Sequence, residues 1–427
     1  MTNANHAKTF ALIDANNFFV SCERLFNPLL QNKPVVVLSN NDGCIISRSQ
    51  EAKDLGIPMG APLFKYRQFI KDNNVFVFSS NYQLYGDISK RIMESLREFV
   101  SNMEVYSIDE AFLELDSSMD NLDLLKYTHE ICDKVEKWVG IPLSIGIGAT
   151  KTLAKLANHM AKKNRNYKVF DLRDKEVHNS VFSDLPVGKV WGIGRKTEEK
   201  LRILNINTAR NLRDSDPQMI RSKFSVVIQR IVFELRGIPC LDLETIEPRQ
   251  NITSSRSFGR TPGRLEDLEE AIANYTAKAA IRLRKQKGKA QGINIFICAN
   301  RFSKTESAYI ASNSKYLIVP TNDTMILISS AKQALKEIYN PKYQYEKVGI
   351  ILLNIIHDQN IQTNLFTDKR QEQRRGILMA TMDKINRTLN EEAIFIATQG
   401  TNRHWKTKSN MCSNGFTTKW EDLCWAG

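Results

Sequence analysis

Three acidic residues follow apolar runs at positions that suit the chemistry of phosphate groups. Asp14 ends the run at residues 10–13, and the adjacent pair Asp109 and Glu110 follows residues 105–108. A carboxylate at the end of a buried strand must pair, bind a metal or face a cleft, because burying it alone is costly. Two Mg²⁺ ions about 4 Å apart promote phosphoryl transfer, and they need two or three carboxylates from different strands. Solvated acids at strand ends would give the same pattern, so the choice depends on the rest of the chain.

The N-terminal part of the chain has the pattern of an α+β domain. Short apolar runs predict strands at residues 10–13, 34–38, 75–78 and 143–147, and a hairpin over 105–115 with the acidic pair near its turn. Residues 150–163 have helical spacing and a basic face, with Thr150 as the predicted N-cap. Strands and helices alternate in mixed order, so residues 1 to about 175 are predicted to form one domain.

The rest of the chain changes character twice. Residues from about 180 to 240 have helical patterns, and residues from about 252 to 358 return to strands with helices between them. The polar segment 244–251 contains Pro248 and is predicted to be a linker. Beyond residue 358 the chain is a polar tail.

The balance of charge indicates a polyanionic partner. The 427 residues include 60 Lys and Arg against 47 Asp and Glu, so the net charge is +13 and the pI is near 9.3. Nucleic acid is the commonest such partner, although a basic protein without a specific partner would have the same charge. A chain of this length exceeds one compact core, and about three to four domains are expected.

Cysteine and histidine usage argues against disulfide and zinc frameworks. The seven cysteines are scattered without a CxxC pair, and the six histidines form no cluster. This pattern favours free thiols in a reducing compartment. No signal-peptide core precedes Asp14, and no stretch approaches the roughly 20 apolar residues of a membrane span. We therefore expect a cytoplasmic protein.

Several long motifs, all in the same order, resemble those of the Y-family DNA polymerases, and the UmuC branch most closely. They include DANNFF at 14–19, SIDEAF at 107–112, GIGATKTLAKLANHMAKK at 146–163, WGIGRKTEEKL at 191–201 and SRSFGR at 255–260. Further similar segments are 33–57, 79–89 and 234–240. The resemblance runs from about residue 10 to 366 and then weakens.

The resemblance implies an α+β multidomain fold, the right hand of a polymerase. Its parts would be a palm (1–32 and 73–175), small fingers (33–72), a helical thumb with a helix-hairpin-helix (176–243), a linker (244–251), a β-rich little finger (252–358) and a C-terminal tail (359–427).

The same resemblance assigns the acids. Asp14, Asp109 and Glu110 would be catalytic and would hold two Mg²⁺ ions, with the backbone carbonyl of Ala15 as a further metal ligand. This is the chemistry that the strand-end acids suggested by themselves.

Five further residues would contact the incoming dNTP. Phe19 aligns with the family's steric gate against ribonucleotides, where UmuC relatives usually have Tyr. A flat ring beneath the sugar would clash with a 2′-hydroxyl. Ser47, Lys53 and Lys162 would bind the triphosphate, and Phe18 is assigned to the nucleotide site, although its ring also suits the core.

Primer-template DNA would be held by basic residues and glycine turns in the thumb and little finger. The predicted DNA-binding residues are Lys151, Gly192, Gly194, Lys196, Arg256 and Arg284. Glycines let backbone N–H groups approach a phosphate, and the basic run 282–289 would neutralise the DNA backbone. Solvated helix ends would have the same composition.

The resemblance also implies protein partners. Gln362, Leu365 and Phe366 match the short QxxLF peptide that docks bacterial polymerases on the sliding clamp. In the UmuC system, the tail and other surfaces contact a UmuD′ dimer and a RecA filament.

These features favour an error-prone translesion DNA polymerase of the SOS response. A nucleotide cyclase on a related palm would lack the basic thumb and the C-terminal domain. A DNA-binding scaffold in a repair complex, without polymerase activity, would show damage to the acidic set, which is intact here.

Overall fold

The computed structural model describes residues 8–116, 119–163, 167–244, 247–299, 308–358, 369–389, 392–401, 403 and 405–423. The chain divides into two compact units. The first comprises Met1–Leu38, Cys44–Thr245 and Met411–Gly427, and the second comprises Ser39–Gly43 and Ile246–Asn410.

The first unit contains two sheets. Their strands are β1 (Thr9–Ala15), β2 (Val35–Leu38), β3 (Ile45–Arg48), β4 (Phe76–Ser79), β5 (Met103–Val105), β6 (Glu110–Leu115), β7 (Leu143–Gly148) and β8 (Val169–Asp171). The larger sheet has the order β5-β6-β1-β7-β8, and the smaller has the order β3-β2-β4. In the larger sheet, β1 is antiparallel to both of its neighbours.

The helices of the first unit fall into two groups. Those around the sheets are α1 (Phe18–Phe26), α2 (Gln50–Asp54), α3 (Leu63–Asp72), α4 (Tyr82–Arg97), α5 (Asn121–Val139) and α6 (Lys151–Lys163). The others are α7 (Lys175–Asp184), α8 (Arg195–Ile203), α9 (Ala209–Asp214), α10 (Pro217–Lys223) and α11 (Val226–Leu235). The second group encloses its own apolar core, together with Leu153 and Leu156 of α6.

Strand β1 is buried on both faces, which explains its nearly continuous apolar sequence. Ala11, Ile13 and Ala15 point into the main core of the unit. Phe10 and Leu12 pack on the opposite face in a separate cluster that includes Ala154 of α6. Since side chains alternate along a strand, Asp14 lies on the same face as Phe10 and Leu12, which α6 covers.

Two glycines in β7 allow α6 to lie directly on the sheet. A Cβ atom at Gly146 would come within 2.0 Å of the Asn158 nitrogen and 2.2 Å of the Ala154 oxygen, and one at Gly148 within 2.6 Å of the Ala154 nitrogen. The side chain of buried Asn158 then donates to the Ser144 carbonyl at 2.8 Å. These contacts fix the helix against the strand that neighbours β1.

The second unit is built on a four-stranded antiparallel sheet with two helices. Its strands are β9 (Ile252–Ser257), β10 (Gly288–Ala299), β11 (Tyr309–Thr321) and β12 (Tyr345–His357), in the order β11-β10-β12-β9. Helices α12 (Leu265–Lys285) and α13 (Thr324–Ile338) share one core with the sheet, and α14 (Lys369–Thr388) follows.

The structure confirms the main elements predicted from the sequence. Every predicted strand in the first unit is present, and Tyr106 donates its N–H to the Glu110 carbonyl across the predicted hairpin. The Thr150 hydroxyl accepts from the Leu153 N–H at 3.2 Å, as an N-cap does. One difference concerns the small sheet. Strand β4 lies after residue 72, where the fingers were predicted to end, yet it pairs with β2 of the predicted fingers.

No disulfide is formed between cysteines in the part of the chain that the structure describes. Within the same residues, none of the helices is both long and apolar enough to span a bilayer.

We predict that Gly146→Ala lowers the free energy of unfolding by about 3 kcal/mol, because the added methyl group must displace the backbone of α6. Urea unfolding followed by circular dichroism measures the change. Gly86→Ala is the matched control, because a Cβ atom at exposed Gly86 in α4 meets nothing within 4 Å. Equal stability of the two variants would contradict the close packing of α6 on β7.

Candidate active site

Asp14 and Glu110 are direct partners across the β1–β6 ladder. Directly opposed residues of an antiparallel pair project to the same face, with Cβ atoms about 5 Å apart. The carbonyl of Asp109 accepts from the Ala15 N–H at 2.9 Å, which continues the ladder by one step. The three predicted acids are therefore neighbours at one end of this strand pair, beside buried Ala15.

A serine-closed turn orients the acidic pair. The Ser107 hydroxyl donates to Asp109 Oδ1 at 2.6 Å and accepts from the Glu110 N–H at 3.0 Å. The small turn residue thus holds the Asp109 carboxylate and starts β6 in register. In the SIDE sequence, the serine therefore stabilises the turn that carries the two acids.

Helix α6 places a row of lysines over acids on three adjacent strands. Residues 151, 155 and 162 are spaced by four and seven, so they lie on one side of a helix with 3.6 residues per turn. Each pairs with an acid of β5, β6 or β1 in turn: Lys151 with Glu104 at 2.6 Å, Lys155 with Glu110 at 2.8 Å and Lys162 with Asp14 at 2.5 Å. We call these three ion pairs the lysine row.

The lysine row becomes more open along the helix. The side chain of Lys151 is 3% exposed, that of Lys155 23% and that of Lys162 37%. The Lys155 ammonium also lies 4.5 Å from the ring centre of Tyr106 and 5.5 Å from that of Trp191, both cation–π contacts. The open end of the row therefore lies at Asp14.

The environment of Asp14 disfavours its charge. Burial raises the pKa of Asp14 to about 7, and the charges of Glu110 and Asp109 add to the rise. Lys162 opposes it through its charge and its hydrogen bond. A carboxylate in this position gains from additional positive charge nearby.

The donors at this site suit a hard divalent cation. Carboxylate oxygens are the ligands that Mg²⁺ prefers, and the poorly compensated Asp14 would benefit from one. Among the described residues, however, no three His, Cys, Asp or Glu side chains are grouped tightly enough to hold one ion, and Glu110 and Asp14 are paired with lysines. Metal ligation by Asp14, Ala15, Asp109 and Glu110 stays a prediction.

The predicted triphosphate cations lie around Asp14. Lys53 donates to Asn17 Oδ1 at 2.6 Å. Loss of hydration and the charges of Arg48 and Lys162 lower the pKa of Lys53, while Asp14 raises it. The positive charges of Arg48 and Lys162 thus act on the Lys53 ammonium. Ser47, on β3 of the small sheet, is buried.

The predicted steric gate lies on a second aromatic ring. Phe19 stacks on Tyr85 with ring centres 4.7 Å apart and planes 16° apart, and Tyr82 meets the Phe19 ring edge-on at 6.0 Å. Phe19 is partly buried, whereas Phe18 is buried in the main core. The side chain of Phe18 is therefore not available to a nucleotide.

Two predicted DNA-binding cations are already engaged within the protein. Lys151 is 2% exposed and pairs with Glu104 beneath the Phe112 ring. Arg284 makes two hydrogen bonds to Asp383, at 2.7 and 2.8 Å. That these side chains bind DNA stays a prediction, and releasing either one for a phosphate would leave a shielded carboxylate without its partner.

The other predicted DNA contacts are on the surface. Gly192 has φ +86°, in the region that favours glycine, and a Cβ atom there would meet Ile231 at 2.7 Å. Gly194 is the N-cap of α8, and Lys196 in its first turn is exposed. Arg256 is exposed on β9.

The predicted clamp-binding residues Gln362, Leu365 and Phe366 lie outside the described residues.

Family models match successive parts of the chain. The impB/mucB/samB family matches residues 13–159, the C-terminal domain of that family matches 249–365, and the IMS family HHH motif matches 177–206. A domain of unknown function, DUF4113, matches 377–426. Protein UmuC of Salmonella typhimurium is 40% identical over 417 residues, covering 97% of this chain and 99% of UmuC.

This chain belongs to the impB/mucB/samB family. Protein ImpB of Salmonella typhimurium is 37% identical over 97% of this chain and 98% of ImpB. DNA polymerase IV 1 of Bacillus subtilis is 28% identical, over 67% of this chain and 69% of that protein. These relatives confirm the predicted membership and the predicted class of enzyme, a DNA-directed DNA polymerase.

Solved structures confirm the predicted fold of this impB/mucB/samB family member. The Y-family DNA polymerase chimera Dbh-Dpo4(243-245)-Dbh aligns with a TM-score of 0.66 at 20% identity, over 82% of this chain and 99% of the chimera. The insertion ternary complex of Dbh DNA polymerase aligns with a TM-score of 0.55 at 19% identity, over 82% of this chain and 99% of that chain.

Several residues of the site in this family member have no local sequence signal. Nothing in the sequence around Glu104 distinguishes it from other acids, and only its place on β5 pairs it with Lys151. Likewise, only the folded structure shows that Tyr85 stacks on Phe19. Lys155 could have been found, because it lies four residues after Lys151 and seven before Lys162 on a predicted helix.

We predict that Lys151→Met lowers the free energy of unfolding by about 3–5 kcal/mol, because it leaves Glu104 buried without its partner. Lys137→Met, which changes an exposed lysine of α5, should alter stability by less than about 0.5 kcal/mol. Urea unfolding of both variants measures the difference. A stable Lys151→Met protein with a weaker salt dependence of DNA binding would support the DNA-binding assignment and contradict the structural one.

Proposed function

We propose that this protein is an error-prone translesion DNA polymerase that adds dNTPs to a primer opposite damaged template bases. The observation that supports this most directly is the cross-strand pair Asp14 and Glu110, with Asp109 next to it, under a helix that supplies Lys155 and Lys162. A nucleotidyl-transfer site needs this combination of clustered carboxylates and nearby cations.

The reaction would be in-line attack of the primer 3′-oxygen on the α-phosphate, with pyrophosphate leaving. Asp14, Asp109 and Glu110 would hold two Mg²⁺ ions, with the Ala15 carbonyl as a further ligand. These ions would stabilise the attacking and leaving oxygens when bound. Ser107 would keep the Asp109 carboxylate aligned through its 2.6 Å hydrogen bond.

The cations beside Asp14 would then bind the triphosphate. Lys162 is paired with Asp14 at the open end of the lysine row, and Lys53 donates to the neutral Asn17 side chain. Both ammonium groups would therefore be available to phosphate oxygens once other charge neutralises Asp14. Ser47 would contribute through its hydroxyl or backbone, and Phe18 through its backbone alone.

Sugar selection would depend on Phe19. Its ring is partly buried and backed by Tyr85, so it would block a 2′-hydroxyl by bulk. Phe in place of the usual Tyr offers no phenolic hydrogen bond, and exclusion of ribonucleotides would be purely steric.

DNA would be gripped through its phosphates. Gly192, Gly194 and Lys196 present a glycine turn, a helix N-terminus and a cation together, and Arg256 is exposed on β9. Contacts of this type carry no sequence information, as a polymerase requires.

The biological setting is proposed from the similarity to UmuC. Similarity to UmuC supports a role in the SOS response to DNA damage, with a sliding clamp, a UmuD′ dimer and a RecA filament as partners. Residues Gln362, Leu365 and Phe366 would dock on the clamp.

We expect Asp109→Ala to abolish primer extension while DNA binding survives, because it removes a carboxylate of the reaction site and no predicted DNA contact. Primer-extension gels and fluorescence anisotropy with labelled primer-template DNA measure the two properties. Loss of one active-site group of this kind typically lowers the rate by about 10³-fold or more.

Asp133→Ala is the control for this experiment, because Asp133 is an exposed acid of α5 paired with Lys168. It should leave extension unchanged. Extension by Asp109→Ala in a preparation free of other polymerases would rule out the assignment.

Replacing Leu365 and Phe366 together with Ala should weaken clamp binding by at least about tenfold, because the two side chains would fill an apolar pocket. Surface plasmon resonance with an immobilised clamp measures the affinity, and primer extension without the clamp should be unaffected. Unchanged clamp affinity would remove this docking site from the proposal.

A further inference from the structure

The chain returns at its C-terminal end to the helices that carry the predicted gate. Residues 411–416, which we call the return segment, belong to the first unit and lie within the region matched by the domain of unknown function. Met411 exchanges two hydrogen bonds with Ser79 at the end of β4, at 2.9 and 3.0 Å. The segment therefore starts as an extension of the β4 end.

The return segment next contacts the start of α4. Asn81 caps α4 by accepting from the Leu84 N–H, and its amide donates to the carbonyls of Ser413 and Asn414 at 3.2 and 3.0 Å. One side chain thus joins the first turn of the helix that carries Tyr85 to the end of the chain.

A buried carboxylate joins the same segment to the gate. Glu23 of α1 is 2% exposed, and its Oε1 atom accepts from the Tyr85 hydroxyl at 2.5 Å and from the Ser413 hydroxyl at 3.1 Å. No lysine, arginine or histidine forms an ion pair with Glu23 among the described residues, so these neutral donors carry its stabilisation.

An aromatic contact anchors the far end of the segment. Phe416 stacks on Phe26, the last residue of α1, with ring centres 4.7 Å apart and planes 9° apart. The return segment therefore holds α1 at Glu23 and Phe26, and it holds α4 at Asn81.

We propose that the return segment positions the sugar-discriminating ring. Ser413 fixes Glu23, Glu23 fixes the hydroxyl of Tyr85, and the flat face of Tyr85 fixes the ring of Phe19. Ser413 and Glu23 are positioning residues that contact neither nucleotide nor metal. The proposal rests on the proposed function, in which Phe19 is the steric gate.

The physical reason lies in how a steric gate works. A ring that excludes a 2′-hydroxyl by bulk must be held in place, because a shift of a few tenths of an ångström makes room for part of the clash. Loss of the hydrogen bond that holds Tyr85 would therefore increase ribonucleotide insertion more than deoxynucleotide insertion, because a deoxyribose has no 2′-hydroxyl to clash with the Phe19 ring. The readout is selectivity rather than overall activity.

The test compares single-nucleotide insertion of a dNTP and the matching rNTP by the full-length protein. Ser413→Ala should lower the ratio of kcat/KM for dNTP over rNTP by about three- to tenfold, with dNTP insertion within about twofold of the starting protein. Ser413→Thr keeps the hydroxyl and should restore the ratio. Ser409→Ala, an exposed serine just before the segment, is the matched control.

Two further variants distinguish the contacts that run from Ser413 through Glu23 to Tyr85 from the gate residue Phe19 itself. Tyr85→Phe keeps the stacked ring but removes the hydroxyl, and it should lower the ratio as Ser413→Ala does. The double variant with Ser413→Ala and Tyr85→Phe should have a dNTP over rNTP ratio little lower than that of either single variant, because both substitutions break the same series of contacts. Phe19→Ala should abolish most of the discrimination and serves as the reference for the gate.

Ring position is also measured without turnover. With 4-fluorophenylalanine at position 19, the ¹⁹F resonance should shift or broaden in the Ser413→Ala protein and stay unchanged in the Ser409→Ala protein. This measurement tests whether Ser413 affects the position of the Phe19 ring even where a variant is too slow for kinetic measurements.

The outcomes are distinct for the two hypotheses. If Ser413→Ala changes dNTP and rNTP insertion equally, or matches Ser409→Ala in both measurements, the positioning role is overturned while the gate stands. If Phe19→Ala leaves the ratio unchanged, the gate assignment itself is wrong and the positioning role falls with it.

Discussion

The contact between α6 and the larger sheet is the constraint on which the rest of the site depends. Gly146 and Gly148 have no side chains, so the helix backbone lies directly against β7, and its lysines reach acids on β5, β6 and β1. A Cβ atom at either glycine would clash with the backbone of α6. The same contact that closes the core therefore also sets the charge balance around Asp14.

The lysine row combines a closed end and an open end in one helix. At the closed end, Lys151 and Glu104 are both shielded from water, and breaking such a pair is far more costly than forming it is favourable. At the open end, Lys162 neutralises an aspartate whose pKa burial raises, and this pairing is the easiest to exchange. Lys155 lies between them, fixed by Glu110 and two aromatic rings. Under the proposed function, this gradient in exposure would allow nucleotide chemistry at the open end without loosening the domain at the closed end.

Local patterns in the sequence predicted the strands, the acidic hairpin and the helix after residue 150, because short apolar runs and cap residues act within a few positions. The partners of individual charges were beyond such patterns. Lys151 and Arg284 have the composition of phosphate-binding residues, but their acids lie 47 and 99 positions away, and only the fold brings them together. The packing of the C-terminal end was hidden for the same reason, since its few aromatic residues stand in polar surroundings.

The stacking of Phe416 on Phe26 has a consequence for deletion experiments. An aromatic pair of this type adds about 1 kcal/mol beyond the area it buries, and Phe416 packs against the main core of the first unit. Shortening the protein by a dozen residues would therefore remove part of its interior, not a dispensable extension. A truncated protein that no longer recruits a partner would have lost core packing as well as any docking sequence, and point substitutions on exposed side chains are the sounder way to map what binds there.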